Sequence, residues 1–304
     1  MTRLRAIVDT PVTPARYLRL TRAALWSLTI IVVTGGAVRL TGSGLGCSDW
    51  PNCEEDRLVS PLEYHAMIEF VNRMFTGVVT VAVVAAVLGS LRRMPRRQDL
   101  VWWSWGLVAG VLAQIILGAV LVKTDLDPRF TMGHFLLSMV LLWNATVLMH
   151  RAGRTGGRAA AGGTTPWVRA VSGLGAVLLL TGTIVTGSGP HSGSDEPEVA
   201  ARLPFLVRDV TRIHSLCAIV VLALVLATAR RLHEEGRPNE VRSALSVAGL
   251  LVVQGVVGYT QYFTGVPVVL VAVHITLASL TWIAIVRLHL QAVPAARRSP
   301  PRWR

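Results

Sequence analysis

His134, His214 and His274 fall near the same end of three apolar stretches and on a repeated frame. His214 and His274 are 60 residues apart. In the first half Asn72 and His134 are 62 apart, and each precedes its second-half counterpart by 140 to 142 residues. An ionisable side chain inside a membrane span marks a functional site by default. Neutral imidazole is the usual axial ligand of haem iron, and two histidines on facing helices of a bundle can clamp a porphyrin from both sides. His214 and His274 form the complete pair and are expected to hold the iron of a b-type haem; the alternative is a hydrogen-bonded packing pair. In the first half only His134 is present, with Asn72 where the repeat calls for histidine.

Around Asn72 the sequence reads Tyr64-His65-Ala-Met-Ile-Glu69-Phe-Val-Asn72-Arg73. Positions 65, 69, 72 and 73 share one helical face. A buried Glu69 needs a partner or a proton, and Arg73 lies one turn on. Glu69 is therefore either half of a structural ion pair or a carboxylate placed to handle protons near a reacting carbon. His65 sits two turns from Asn72, about 10 Å along the axis, too far for the same ligand position in a regular helix. It reads as an interfacial histidine, with iron ligation as the alternative. Arg39 and Arg73 match the carboxylates of haem propionates, or else snorkel to headgroups. His191, in the loop Gly189-Pro-His-Ser-Gly193, is either solvated or at a haem edge. Cys47 and Cys53 flank a short Pro-containing loop; on an oxidising side of the membrane a disulfide is expected, with free thiols as the alternative. Cys217 lies within an apolar stretch and reads as a small buried residue.

The elements that must carry these residues are membrane helices. The 304 residues are 52% hydrophobic and 15% charged, with mean hydropathy +0.52, against about 25% charged in soluble domains. Eight apolar runs of spanning length lie near 24–40, 66–91, 101–122, 132–150, 169–187, 210–229, 243–262 and 271–290. The Arg-rich N-terminus leads straight into a full-length span, so no cleavable signal peptide is expected. With the N-terminus inside, inner segments hold 22 of the 30 basic residues but 5 of the 17 acidic ones. That asymmetry places both termini in the cytoplasm. The net charge of +13 thus encodes topology and attraction to anionic lipid, and a nucleic-acid partner is not expected.

Two further echoes reinforce the duplication. Thr-Gly-Ser-Gly occurs at 41–44 and 186–189, and Gln114-Ile-Ile-Leu-Gly118 matches Gln254-Gly-Val-Val-Gly258. The expected fold is an all-α integral membrane protein of eight transmembrane helices, built as two tandem four-helix bundles in parallel repeat. The expected organisation is a cytoplasmic N-terminal tail over 1–23, a first bundle over 24–150 and a cytoplasmic linker over 151–168. A second bundle over 169–290 and a basic cytoplasmic tail over 291–304 complete it. Most of the glycines read as close-packing residues.

The combination resembles the haem A synthase family. It is carried by Thr34-Gly-Gly-Ala-Val-Arg39-Leu-Thr-Gly-Ser-Gly44, by Cys47-Ser-Asp-Trp50-Pro51-Asn-Cys53 and by Thr186-Gly-Ser-Gly-Pro-His191-Ser-Gly193. His134, His214 and His274 match the family's ligand positions and Glu69 its glutamate, over nearly all of the chain between the charged tails. The resemblance implies a bacterial cell-membrane oxidoreductase that converts a methyl group of haem O to the formyl group of haem A, for cytochrome oxidase. The course implied is two hydroxylations to a gem-diol that loses water. It implies a resident haem b between His214 and His274, and substrate haem O in the first half at His134, with Glu69 catalytic and Asn72, Arg73, Arg39 and His65 around it. Pathway logic adds the haem O-forming farnesyltransferase and an unidentified electron donor as partners. Two departures stand out: the family's Glu-x-x-His-Arg is here Glu69-Phe-Val-Asn72-Arg73, and the loop over 188–209 lacks the second cysteine pair that some members carry. The competing reading is a bis-histidine b-type cytochrome that only passes electrons, and a third is a haem or small-molecule transporter. The cytochrome reading does not account for Glu69, the duplicated second site or the cysteine loop; the parallel repeat allows a transporter, but no obvious broken-helix pair supports one.

Overall fold

The computed structural model describes residues 11–47, 52–54, 59–60, 62–154, 163–196 and 201–293. Eight helices account for nearly all of these: α1 (Pro14–Leu40), α2 (Tyr64–Arg92), α3 (Gln98–Lys123), α4 (Pro128–Gly153), α5 (Thr165–Ser188), α6 (Val207–Glu234), α7 (Pro238–Phe263) and α8 (Val268–Ala292). Each is long and apolar enough to cross a membrane; the shortest, at 24 residues, reaches about 36 Å against a hydrocarbon core of about 30 Å. The chain is a multi-pass membrane protein. Bridges between extended segments are isolated pairs such as Val12–Arg93 and Ser43–Ser194.

Helix starts follow from local chemistry. Thr13 caps α1 by accepting from the Arg16 amide at 3.3 Å, with Pro14 in the first turn. Asp127 does the same for α4 through the Arg129 amide at 2.8 Å, ahead of Pro128. The helix α1 thus begins at Pro14, ten residues before the apolar run expected at 24. Hydropathy undercounts this turn because Arg16, Arg19 and Arg22 punctuate it. The fully buried Tyr17, whose hydroxyl meets that of Ser104 on α3 at 3.0 Å, fixes it to the bundle. Helices α6 and α7 likewise begin earlier than their apolar runs. The expected tail segments over 1–10 and 294–304 and residues 155–162 of the expected linker lie outside the described residues.

Helices α1 to α4 pack as a ring in which α1 touches α2 and α4, and α3 touches α2 and α4. Helices α5 to α8 repeat the same ring. The rings join through α4 against α8, with α1 against α8 and α4 against α5 on either side. This pattern is that of a parallel duplication about an axis running along the helices. One core gathers Leu25, Leu100, Leu107 and Leu142, the other Val168, Val221, Val247 and Leu288. Outward faces stay apolar and exposed, as at Val81, Ile116 and Val256, which suits acyl chains rather than water.

Trp282 of α8 packs against both cores, and its Nε1 donates to the Met139 carbonyl of α4 at 2.8 Å. A mid-helix carbonyl already accepts within its own helix, so this is an additional bond that locks the two rings at one register. Trp282→Phe keeps the ring but loses the donor. It is expected to lower stability by about 1 kcal/mol, read as a lower midpoint in thermal unfolding of the detergent-solubilised protein; an unchanged midpoint would remove this bond from the interface.

Candidate functional site

At the end of the molecule that carries the cysteine loop, the second ring brings His214 of α6 to His274 of α8, with ring centroids 6.4 Å apart and planes at 62°. Two imidazoles bound to opposite sides of one metal ion, at metal–nitrogen bonds of about 2 Å, have centroids about 6 Å apart. Both histidines lie within the first turns of their helices, so they share a depth. The His214 ring is oriented by Thr181 of α5, whose hydroxyl lies 3.0 Å from Nδ1. Gln254 of α7 donates to the backbone carbonyl of His274 at 3.1 Å. The His274 Nδ1 is buried without a hydrogen-bond partner. Among the described residues no three of His, Cys, Asp or Glu gather into a metal cage. A porphyrin brings its own four equatorial nitrogens, so two imidazoles are a sufficient protein donor set.

The repeated glycines gain a specific meaning here. A Cβ on Gly182 would stand 3.1 Å from the His214 Cε1, and one on Gly258 3.2 Å from the His274 Cε1. These glycines are seats for imidazoles, which the reading of them as general close-packing residues missed. The echo Gln114…Gly118 and Gln254…Gly258 was the signal that could have found Gly258, and the paired Thr34-Gly35 and Thr181-Gly182 the signal for Gly182.

The first ring repeats the frame with one change. Gln114 of α3 donates to the backbone carbonyl of His134 at 3.1 Å, as Gln254 does to His274. Gly118 backs the His134 ring, its Cβ position 3.8 Å from Cε1, and the His134 Nδ1 is buried and unpartnered like that of His274. Across the ring, Thr34 of α1 donates to the Asn72 Oδ1 at 2.8 Å, where Thr181 meets the His214 Nδ1. His134 and Asn72 thus occupy the places of His274 and His214.

A loop caps this end. Glu69 is 6% exposed; its Oε2 accepts from the Cys47 amide at 2.9 Å, and its Oε1 from the Arg73 Nε at 3.0 Å and from the Arg73 Nη2. Arg73 also donates from Nη1 to the Asn52 carbonyl at 2.9 Å. The ion pair expected from the i,i+4 spacing is present and does a second job, tying both sides of the Cys47–Cys53 disulfide to α2. Residues 48–51, including Trp50, lie outside the described residues. Gly46 lies so close to the His65 backbone that any Cβ would collide with it, and Gly42, at φ +72°, turns the chain beside Asp195.

His65 and Arg39 reach into the other half. The His65 Nδ1 lies 3.0 Å from the Ser43 hydroxyl and its Nε2 3.8 Å from Asp195. Arg39 donates to the carbonyls of His191 at 3.0 Å and Thr186 at 3.2 Å. The His191 Nε2 lies 2.9 Å from the Val266 carbonyl, and the Gly44 amide donates to the Gly193 carbonyl at 2.8 Å. Arg39 is therefore a clasp between the two repeated Thr-Gly-Ser-Gly segments rather than a free guanidinium, and His191 ties two second-half loops together. Cys217 is a free thiol, half-buried in α6.

A family model described as cytochrome oxidase assembly protein, COX15-CtaA, matches residues 19–67 and 59–286. The chain is similar to the "Heme A synthase" of Geobacillus kaustophilus, 33% identical over 128 residues, which is 41% of this chain and 39% of that protein. It is also similar to the "Heme A synthase" of Exiguobacterium sibiricum, 32% identical over 134 residues, 42% of this chain and 45% of that protein. A "Protoheme IX farnesyltransferase" of Thermus thermophilus is 25% identical over 288 residues, 88% of this chain and 47% of that protein. The matches thus span less than half the length of each of these relatives. With both repeats inside the matched region, from α1 through the two histidine frames to α8, the chain belongs to the COX15-CtaA family of cytochrome oxidase assembly proteins.

Proposed function

We propose that this protein is a haem A synthase that oxidises a methyl group of haem O to a formyl group. The carrying observation is the pair of equivalent frames, one with two facing imidazoles 6.4 Å apart and one with His134 facing Asn72. In this reading the second bundle holds a resident haem b between His214 and His274, and the first bundle takes substrate haem O against His134. The bound haems would supply electron transfer in the second half and oxidation chemistry in the first. The chain's own part is positional. Gly118, Gly182 and Gly258 let the rings approach, Thr181 orients the His214 ring, and Gln114 and Gln254 hold the backbone turns that carry His134 and His274. Glu69, neutralised by Arg73 and the Cys47 amide, fixes the loop over the first bundle and places a carboxylate one turn from Asn72. Such a carboxylate can hold a proton at that mouth. Arg73 stands beside it, while His65 and Arg39 shape the rim through the partners they bind.

The two halves share a wall. A Cβ on Gly36 of α1 would stand 3.3 Å from Ile275, the residue after His274. That adjacency suits passage of electrons from the second bundle to the first. The similarity of 88% of this chain to about half of a protein named farnesyltransferase supports direct handover of haem O from that enzyme class. The external electron donor would deliver to the second bundle.

The arginine distribution supports both termini in the cytoplasm of a bacterial cell, with the disulfide on the opposite face. In intact cells given a mild reductant, a membrane-impermeant maleimide is expected to label Cys47 and Cys53; labelling only after permeabilisation would reverse the orientation.

The activity test is mass spectrometry of haems extracted from membranes that make haem O, with and without this protein. Haem A or its hydroxylated precursor is expected only with the protein. Glu69→Ala and His134→Ala are expected to cut it by about 100-fold, and His214→Ala to remove haem B from the purified protein. Folded protein that carries haem B and leaves haem O unchanged with reductant present would sink the proposal in favour of a simple cytochrome.

A further inference from the structure

The substitution of asparagine for histidine on α2 is a local change with a consequence for iron coordination. Resting on the haem O site proposed above, we infer that the first-half haem has His134 as its one protein ligand, and that Asn72 lines an open pocket for a small exogenous ligand on the opposite face.

Three observations on the repeated frame carry this. First, Asn72 occupies the histidine's place without reaching as far. Thr34 donates to its Oδ1 at 2.8 Å, as Thr181 meets the His214 Nδ1 at 3.0 Å. The asparagine side chain ends there, whereas an imidazole continues through Cε1 to Nε2. Second, the space shows on the neighbouring helix. A Cβ on Gly182 would stand 3.1 Å from the His214 Cε1, while one on the equivalent Gly35 would meet nothing within 4 Å. The glycine seat has been kept and the ring that fills it has gone. Third, with Oδ1 facing Thr34, the Asn72 Nδ2 donates to nothing among the described residues, leaving a donor for whatever enters.

The other nearby groups are engaged elsewhere. His65 lies about 10 Å further along α2 and is held by Ser43 and Asp195. Glu69 is bound by the Cys47 amide and Arg73. The usual haem ligands are histidine, cysteine, methionine and tyrosine, to which an uncharged amide is a poor substitute, and the polarity, donors and steric access of the face opposite a single histidine decide what small molecule binds there. The halves are therefore differentiated: the second closed on both faces, the first closed on one and open on the other to a ligand the size of carbon monoxide or dioxygen.

The test uses the full chain purified with haem B and haem O supplied, reduced, and titrated with carbon monoxide. With two haems bound per chain, one of the two is expected to show the carbon monoxide shift. Asn72→His restores a tethered imidazole. It is expected to weaken carbon monoxide binding by about tenfold or more and to add a second low-spin bis-imidazole signal in the ferric electron paramagnetic resonance spectrum. Asn72→Ala, which offers no ligand, is expected to keep the shift and guards against a histidine variant that fails to fold. Two haems per chain with neither responding to carbon monoxide would overturn the inference while leaving the haem O site standing. Loss of the shift in a folded Asn72→Ala would also overturn it. One haem per chain despite a supply of haem O would overturn the site and the inference together.

Discussion

A helix in a bilayer uses up its own backbone hydrogen bonds, so an imidazole that must present a nitrogen lone pair inside a bundle has to be held by side chains and packing alone. The protein meets that constraint with a recurring set of parts. A glycine on the neighbouring helix lets the ring approach, at Gly118, Gly182 and Gly258. A threonine or a glutamine on that neighbour fixes the ring or the backbone turn bearing it. The ring-of-four packing, the shared depth of the histidines and the loop clasp serve to keep these parts in register.

Duplication explains how one such device became two that differ. The halves meet through α4 and α8, the helices that carry His134 and His274, and Trp282 bonds across that contact to Met139. At the cysteine-loop end Arg39, Gly44, Ser43 and His65 of the first half all find partners in the second. A loop that depends on both halves couples the covering of one site to the folding of the other. Because the frames are equivalent, a single residue, Asn72 against His214, separates their coordination chemistry while the supporting threonine and glycine remain.

Much of this was legible in the sequence because periodicity and offset are one-dimensional signals. Apolar runs located all eight spans, and the offset of 140 to 142 residues paired His134 with His274 and Asn72 with His214. The i,i+4 spacing located the Glu69–Arg73 pair. The helix α1 starts ten residues before its apolar run because arginines lower hydropathy without ending a helix, and the cap at Thr13 was the better signal. The second partner of Glu69 was not legible, since the Cys47 amide returns through a loop 22 residues away. Arg39 looked suited to a propionate because its chemistry fits any carboxylate or carbonyl. Only three dimensions show that it also donates to the His191 and Thr186 carbonyls. The imidazole seats were hidden for a related reason: a glycine that admits a ring reads in sequence like a glycine that admits another helix.

The most direct test of the two-site reading is an experimental density map of the purified full chain saturated with haem B and haem O. Two porphyrins are expected, related by the internal repeat, one clamped between His214 and His274 and one against His134 with Asn72 on its far side. A single porphyrin, or one that leaves His214 and His274 packed against each other, would contradict it.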